Sequence, residues 1–271
     1  MSAPPEPVVD VRDLRKVYPT GTPGPLGPPR GEFVALAGAT FQVAAGECLG
    51  IVGESGSGKS TTARMLAGLE RPTAGTISVL GHDRSSPARR TAERHRRGGQ
   101  LQMVFQDPYT SLDPRQSARD TIDETLRLHT RLSRTDRADR VMEIAASVGL
   151  DERQVAALPS GLSGGQRQRV AIARALAADP RVIVLDEAVS ALDVSIQAQI
   201  LNLLGDIRDT TGVAYIFITH DLAVVRHMAD QVLVLQAGHI VEQGPTERVL
   251  DHPRHAYTQR LRESVPARGT P

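Results

Sequence analysis

The sequence of 271 residues lacks several features that would assign a protein class directly. It has one cysteine, Cys48, which excludes a disulfide framework and a zinc site built from several thiolates of this chain. Tryptophan is absent and aromatic residues make up 3%, so the core must be mainly aliphatic. No run of about 18 apolar residues occurs, and no apolar stretch follows a basic N-terminus. We therefore expect neither a membrane span nor a secretory signal.

An excess of charge of one sign is also missing. Lys plus Arg number 32 and Asp plus Glu number 31, so the net charge of +1 gives no overall reason to expect a nucleic-acid partner. Residues 84–97 are basic, but no aromatics interleave the charges. A solvated connector is therefore favoured there over a patch that binds nucleic acid or anionic lipid. Nearly all cations are arginine, and the two lysines are Lys16 and Lys59.

Strand and helix patterns alternate along the chain. Strands are predicted over residues 8–18, 33–43, 47–53, 75–81, 100–106, 182–187, 213–220 and 231–236. Helices are predicted from residue 59, as two or more within 119–148, and over 164–178, 195–209 and 221–229. The segment Pro19–Gly31 is predicted as a loop, because its prolines and glycines suit neither a helix nor a central strand. The alternation predicts an α/β fold with a mainly parallel sheet covered on both faces, and the helix-rich middle is interpreted as an insertion.

Residues Gly53 to Ser60 read GESGSGKS, the G-x-x-x-x-G-K-[ST] pattern of a phosphate-binding loop between a buried strand and a helix. Glycines let backbone N–H groups close around phosphate oxygens, and the helix start adds a favourable dipole. Lys59 can reach the β- and γ-phosphates, and the Ser60 hydroxyl can ligate Mg²⁺. The alternative, a Gly-rich turn with a chance Lys-Ser pair, is disfavoured by the context. The predicted nucleotide-binding residues are Gly53, Glu54, Ser55, Gly56, Ser57, Gly58, Lys59, Ser60 and Thr61.

The apolar strand at residues 182–187 ends in Asp186 and Glu187. Parallel sheets bind ligands beyond the carboxyl ends of their strands, so both carboxylates are expected at the ligand edge. Asp186 would hold Mg²⁺ directly or through water, and Glu187 would polarise the attacking water as a general base. The alternative is an acidic pair at a helix start. It accounts for a single carboxylate but accounts poorly for two carboxylates beside a phosphate loop.

The stretch from Leu162 to Gln166 reads LSGGQ ahead of a helical segment, which alone indicates only an anion-binding helix start. Together with the phosphate loop and the acidic strand end, it resembles the signature of the ABC ATPase family, and the likeness covers about residues 8–250. The resemblance implies a RecA-like P-loop NTPase fold. In it, a mainly parallel sheet core carries an antiparallel β subdomain and an inserted helical subdomain at about residues 107–178.

The resemblance also implies roles for residues outside these motifs. Gln106 matches the Q-loop, which contacts Mg²⁺ and the attacking water, and His220 matches the switch histidine at the γ-phosphate. Without the other motifs, a strand-end histidine is more often structural. The implied catalytic residues are Lys59, Gln106, Glu187 and His220, and the implied Mg²⁺ ligands are Ser60, Gln106 and Asp186. Residues implied to complete the nucleotide site of a second subunit are Ser163, Gly164, Gly165 and Gln166 of the signature and Asp193 of the D-loop, Ser190–Asp193.

The position of the adenine-stacking residue stays open between two aromatics. Tyr18 resembles the aromatic that stacks on adenine in the family, and Phe33 is its rival. A buried tyrosine at a strand end with no ligand is the structural alternative. The cofactors that the resemblance implies are ATP and Mg²⁺.

Three further stretches resemble the oligopeptide, dipeptide and nickel importer branch of the family: residues 105–115, 187–204 and 252–261. The sequence EAVSALDVS, which starts at Glu187, resembles that of the second, F-type ATPase of the pair used in that branch. Ser57 stands where the branch often has Cys, and Ala188 where the family often has Pro. His252 and His255 suggest a metal site, but Pro253 between them and the absence of a third ligand argue against one. Residues 251–271 are predicted to be a short C-terminal extension of this importer type.

The implied function is ATP hydrolysis that energises a membrane importer, with oligopeptides or dipeptides favoured over nickel or another small solute. The implied partners are two transmembrane permease subunits, a second and non-identical ABC ATPase in a head-to-tail dimer, and indirectly an extracytoplasmic binding protein, with no nucleic acid. The implied location is the cytoplasmic face of the membrane, through the permeases. A soluble ABC ATPase acting on DNA or ribosomes is the alternative. It would be expected to show a long coiled-coil insertion or tandem cassettes, and neither pattern occurs in the sequence.

Overall fold

The computed structural model describes residues 6–21, 31–107 and 111–263. Its strands are β1 (Val9–Thr20), β2 (Gly31–Val43), β3 (Cys48–Val52), β4 (Ala74–Val79), β5 (His82–Asp83), β6 (Leu101–Val104), β7 (Val182–Asp186), β8 (Ala214–Ile218), β9 (Gln231–Gln236) and β10 (His239–Pro245). Its helices are α1 (Lys59–Leu66), α2 (Thr91–Gln100), α3 (Ala118–His129), α4 (Arg134–Ser147), α5 (Glu152–Ala156), α6 (Gly164–Leu176), α7 (Val194–Thr211), α8 (Leu222–Met228), α9 (Thr246–Asp251) and α10 (Ala256–Glu263).

The chain forms two compact units. The first combines residues 1–87 with 216–271, and the second holds residues 88–215, so the chain passes from the second to the first within β8. The predicted helical insertion at about residues 107–178 lies inside the second unit, which also contains α2, β6, β7 and α7.

The first unit contains an antiparallel sheet with the strand order β2-β1-β4-β5. β1 pairs with β2 from Val9 opposite Val43 to Thr20 opposite Gly31, and Val9 also faces Val79 of β4. In the same unit β9 pairs in parallel with β3 and antiparallel with β10. All five residues of β3 are buried, so the loop that follows it begins at a fixed point.

In the second unit, β6 and β7 pair in parallel, with Leu101 opposite Val182. Capping boxes begin α3, α5 and α6. In each, the polar side chain just before the helix accepts the N–H of the third helical residue, and the side chain of that third residue accepts the N–H of the residue before the helix. Every residue of β7 is buried, including its last residue, Asp186. The parallel pairings, the separate antiparallel sheet and the flanking helices confirm the predicted α/β class.

The core is mainly aliphatic, as the scarcity of aromatics predicts. Among the residues that the structure describes, the fully buried aromatic side chains are Tyr215 and Phe217, both on β8. Among the described residues, no helix combines the length and the apolarity needed to cross a bilayer.

Strands β1 and β2 extend into the two ends of the predicted loop, Pro19–Gly31. Pro19 lies opposite Glu32 and Thr20 opposite Gly31, so both ends belong to strands. At this end β1 pairs with β2 on one side, and its pairing with β4 on the other side has already ended at Arg15. The proline is tolerated because an N–H missing on the unpaired side leaves no carbonyl of a neighbouring strand without a donor. Residues 22–30 of that loop lie outside the described part of the chain.

The basic segment, residues 84–97, contains most of a helix where only a connector was predicted. None of the side chains of α2 is buried, whereas Arg84, at the start of the segment, is only 5% exposed. Arg97 and Glu93 form an ion pair one helical turn apart, at 2.5 Å, which favours the helix. The sequence pattern hid this helix because it has no apolar stripe and its last turn contains two glycines, Gly98 and Gly99.

Three elements after residue 236 were not predicted: β10, α9 and α10. They occupy the end of the first unit, and α10 lies in the predicted C-terminal extension, residues 251–271. Residues 264–271 of that extension lie outside the described part of the structure.

Candidate functional site

The phosphate-loop motif joins β3 to α1 in the first unit. Lys59 begins α1 and is 5% exposed. Its ammonium group donates to the carbonyl oxygens of Gly53 at 2.8 Å and of Glu54 at 2.9 Å. A buried charge requires polar partners, and here the main chain of the loop supplies two acceptors. The loop is thereby folded around the lysine that the sequence predicts to face phosphate.

Two glycines of the loop have no room for a side chain. Gly53 has φ 154° and Gly58 has φ 107°, values that side chains disfavour. A methyl group on Gly53 would overlap the carbonyl oxygen of Leu235, and one on Gly58 would overlap that of Ala35. The loop backbone therefore lies directly against neighbouring main chain.

The start of α1 suits an anion. Its first residue follows Gly58, no side chain caps it, and no acidic residue stands in its first turn. The first N–H groups of a helix need acceptors from outside the helix, and a phosphate oxygen is a suitable one. Ser60 is exposed and Thr61 half-buried in that turn. An uncapped helix start next to a lysine ammonium fits the phosphates of a nucleotide.

The remaining predicted residues of the first unit are His220 and Tyr18. His220 is exposed just after β8, between Thr219 and Asp221. The Thr219 N–H donates to Ile51 O at 3.2 Å, and the Asp221 N–H donates to the Thr219 hydroxyl at 3.0 Å. The main chain on both sides of His220 is therefore held in place.

Tyr18 and its rival Phe33 stand directly opposite each other on β1 and β2. Opposed residues of an antiparallel pair point to the same face, so both rings lie on one side of the sheet. The Lys16 ammonium lies over the Tyr18 ring, 4.7 Å from its centroid, whereas Phe33 is 51% exposed. One face of the tyrosine ring is already covered by a cation.

The acidic strand end lies in the second unit, and Gln106 lies beside it. Asp186 ends β7 and is 8% exposed. The next residue, Glu187, has φ 48°, a conformation that non-glycine residues seldom adopt. Its side chain accepts from Nε2 of Gln106 at 3.0 Å, and its carbonyl accepts from the Ser190 hydroxyl at 2.9 Å. The structure therefore brings Gln106 and Glu187 together, as expected for groups acting on one water.

The LSGGQ segment forms the start of α6. Ser163 caps this helix: its hydroxyl accepts from the Gln166 N–H at 3.3 Å, while the Gln166 side chain accepts from the Ser163 N–H at 2.8 Å. Arg167 is buried, and its guanidinium donates to the carbonyls of Pro159 and Leu162. These contacts fix the turn that leads into the helix.

The signature and the D-loop meet in the second unit. A methyl group added to Gly165 would lie 2.6 Å from Cγ2 of Ile196, and one on Gly164 would lie 3.7 Å from Leu192. The absence of a side chain at Gly165 therefore lets α6 pack directly against Ile196 of α7. Asp193 precedes α7 and is exposed, with no hydrogen bond capping that helix.

One contact to the phosphate loop was not predicted. The N–H of Glu54 donates to the hydroxyl of Tyr257 on α10, at 2.9 Å. The two residues are 203 positions apart, and no local pattern in the sequence links them. The only signal was that Tyr257 lies in the importer-like stretch 252–261.

The chain is similar to several known proteins. A family model described as ABC transporter matches residues 36–190. The chain is 44% identical over 262 residues to the di/tripeptide transport ATP-binding protein DppF of Pseudomonas aeruginosa (strain UCBPP-PA14). The matched region covers 97% of this chain and 80% of that protein. It is 47% identical over 259 residues to the oligopeptide transport ATP-binding protein OppD of Mycobacterium tuberculosis (strain ATCC 25618 / H37Rv), covering 96% of this chain and 42% of that protein.

Among solved structures, the chain is similar to the dimeric post-hydrolysis state of the ATP-binding cassette MJ0796 bound to ADP and Pi. The TM-score is 0.77 at 29% identity, covering 88% of this chain and 98% of that chain. A cassette of another transporter complex, cbiO1 from Clostridium perfringens, gives a TM-score of 0.75 at 27% identity and covers 91% of each chain.

The glycine geometry predicts unequal effects of two alanine substitutions in the loop. Gly56 has φ 79° with nothing near a would-be methyl group, so Gly56→Ala should cost about 1–2 kcal/mol of folding free energy from backbone strain alone. Gly58→Ala adds an overlap with the Ala35 carbonyl on β2, so its cost should reach about 2–5 kcal/mol. Urea unfolding of both variants and wild type measures the difference. Equal losses would show that the loop backbone can move away from β2.

Proposed function

Because the chain belongs to the ABC transporter family of ATP-binding proteins, we propose that it is the ATP-hydrolysing subunit of a membrane importer for di- or oligopeptides. The predicted family and its P-loop NTPase fold are confirmed. The observation that carries the proposal is the 44% identity to a di/tripeptide transport ATP-binding protein over 97% of this chain. The geometry of the two units supports a role for each motif.

The phosphate loop would hold the phosphates of ATP. Lys59 would bind the β- and γ-phosphates, and the N–H groups at the start of α1 would bind phosphate oxygens. The same loop supplies Ser60, which with Asp186 and Gln106 would ligate Mg²⁺. Magnesium sites in such enzymes use few protein ligands, because phosphate oxygens and waters fill the remaining positions.

Hydrolysis would depend on Glu187 as the base that polarises the attacking water. The hydrogen bond from Gln106 at 3.0 Å orients the carboxylate, and the positive φ of Glu187 sets its direction at the end of a buried strand. His220, exposed after β8, would contact the γ-phosphate. Tyr18 would stack on adenine through the ring face that Lys16 does not cover.

A second ATPase subunit would complete each nucleotide site. Ser163, Gly164, Gly165 and Gln166 of the signature and Asp193 of the D-loop would serve the ATP of the partner in a head-to-tail dimer. The close packing of α6 on α7 would present the signature and the D-loop as one surface. The similar cassette MJ0796, solved as a dimer with ADP and Pi, supports this arrangement.

The other proposed partners are two transmembrane permease subunits and, through them, an extracytoplasmic binding protein. This chain would sit at the cytoplasmic face of the membrane. A relative named DppF supports the F-type assignment, because the P. aeruginosa protein is 44% identical over 97% of this chain and 80% of its own length. The partner ATPase would then be a different chain.

Replacing the proposed base tests the hydrolytic step. Glu187→Gln keeps the size of the side chain and an acceptor for Gln106 but removes the carboxylate. Phosphate release by the assembled complex should fall about 10²–10⁴-fold, while ATP remains bound and the dimer accumulates. The control is Glu143→Gln, at an exposed glutamate paired with Arg140 on α4, which should leave turnover unchanged. Wild-type turnover in Glu187→Gln would remove Glu187 from the role of base.

Two substitutions separate the site of this subunit from the site of its partner. Lys59→Ala should reduce photolabelling of this chain by azido-ATP, because the cation that faces the phosphates is lost. Ser163→Arg should leave that labelling intact. It should instead reduce labelling at the other nucleotide site, which contains the partner's phosphate loop. Both measurements use the assembled complex, with labelling read for each ATPase chain.

The matched control is Ser133→Arg, which removes an equivalent helix cap, at α4, without touching the signature. It should cost about 1 kcal/mol of stability and change neither labelling pattern. If Ser163→Arg and Lys59→Ala abolished labelling of the same chain, the shared-site arrangement would be wrong.

The substrate class is tested by uptake in the source cells. Deletion of the gene should abolish import of labelled di- or oligopeptides and make the cells resistant to toxic peptide analogues. Complementation with wild type should restore uptake, and complementation with Glu187→Gln should not. Normal peptide uptake together with failed nickel accumulation would replace the peptide proposal with the nickel alternative and leave the ATPase function standing.

A further inference from the structure

The C-terminal helix α10 carries a buried tyrosine that the proposed ATPase chemistry does not use. Tyr257 is 3% exposed, and its ring packs in an apolar cluster with Val52, the last residue of β3, and with Val225 and Leu250. The phosphate loop begins one residue after Val52. The tyrosine therefore lies against the start of the loop.

The hydroxyl of Tyr257 contacts one particular peptide of the loop, the one between Gly53 and Glu54. The N–H of this peptide belongs to Glu54 and donates to the hydroxyl oxygen of Tyr257 at 2.9 Å. Its carbonyl, on Gly53, accepts from the Lys59 ammonium at 2.8 Å. All peptide bonds described are trans, so the N–H and the carbonyl of a peptide point in opposite directions. The peptide is thus held on one edge by Lys59 and on the other by Tyr257.

The main chain of Tyr257 and of the residues just before α10 is held by side chains outside the phosphate loop. Glu242 on β10 accepts from the N–H groups of Arg254 at 2.9 Å and His255 at 3.2 Å. The His255 side chain in turn accepts from the Tyr257 N–H at 3.2 Å. These bonds fix the start of α10 on β10, so the hydroxyl is a fixed acceptor toward which the Glu54 N–H must turn.

We propose that Tyr257 is a positioning residue for ATP binding, because its hydroxyl sets the orientation of the Gly53–Glu54 peptide whose carbonyl holds Lys59. The inference rests on the proposed role of the loop in binding ATP. It gives the C-terminal extension a function toward the nucleotide. Without the hydroxyl, the peptide is restrained on one edge only, and the lysine acceptors lose their fixed direction before ATP arrives.

The hydroxyl keeps its proton at neutral pH. Burial raises the pKa of Tyr257 above its ordinary value of 10.0, and this outweighs the opposite effect of the hydrogen bond from Glu54. A neutral hydroxyl accepts the Glu54 N–H without placing a negative charge beside the loop that would hold the phosphates.

A buried tyrosine hydroxyl usually finds some partner, so a purely structural role is the competing explanation. Tyr215 provides a matched control, because it is also buried and its hydroxyl donates to the carbonyl of Leu204, on α7, at 3.0 Å. Tyr215→Phe and Tyr257→Phe each keep the ring and remove the hydroxyl that makes the hydrogen bond described. A structural role predicts the same behaviour for both variants.

The test measures binding of a fluorescent ATP analogue to the full chain, thermal unfolding, and KM and kcat of the assembled complex. Tyr257→Phe should weaken nucleotide binding and raise KM by about three- to tenfold with kcat little changed, the effect of losing one hydrogen bond. Tyr215→Phe should bind as wild type does. Exchange of the Glu54 amide hydrogen should also be faster in Tyr257→Phe than in wild type.

The outcomes separate this inference from the proposed function. If wild type binds ATP and Tyr257→Phe binds it equally well, with a loss of unfolding temperature like that of Tyr215→Phe, Tyr257 is only structural. If wild type itself binds no ATP, the proposed function fails and the inference fails with it. Should Tyr257→Phe not fold, slow exchange of the Glu54 amide in wild type supports the contact, and exchange at the rate of an open loop overturns it.

Discussion

The buried ammonium of Lys59 is the constraint on which the geometry of the phosphate loop depends. Removing such a charge from water costs several kcal/mol unless acceptors replace the lost hydration. The acceptors are the carbonyls of Gly53 and Glu54, so the loop must curl until both point at the lysine. Because the peptides are trans, each carbonyl turned inward turns the N–H of the following residue outward. The positive φ angles of Gly53 and Gly58 follow from that curl, and so does the need for an outside acceptor at Glu54.

The sequence predicts best the parts of the site that local chemistry determines. The phosphate loop follows from its glycines and lysine, and the start of α6 follows from the spacing of Ser163 and Gln166, which form a capping box. Buried strands such as β3 and β7 are continuous apolar runs, so their acidic or glycine-rich ends could be located as well. Each of these signals lies within about ten residues of the group it positions.

What the sequence did not predict depends on contacts between distant segments. β10 has no apolar run because its residues are largely half-buried or exposed, and α10 is an eight-residue helix, too short to be stable without its packing on the rest of the unit. The contact of Tyr257 with Glu54 joins segments 203 residues apart. No periodicity encodes such a pairing, since it depends on β9 pairing with β3 and on β10 pairing with β9.

The cap of α6 bears on whether Ser163 can serve both this helix and a nucleotide. Its hydroxyl accepts from the Gln166 N–H, which uses one lone pair of the oxygen. A hydroxyl has a second lone pair and one hydrogen to donate, and a phosphate oxygen needs only that donor. The capping bond therefore aims the hydroxyl without consuming the group that would bind phosphate. A serine in this position gains stability from the helix and keeps its donor for a ligand, which alanine or an apolar residue could not do.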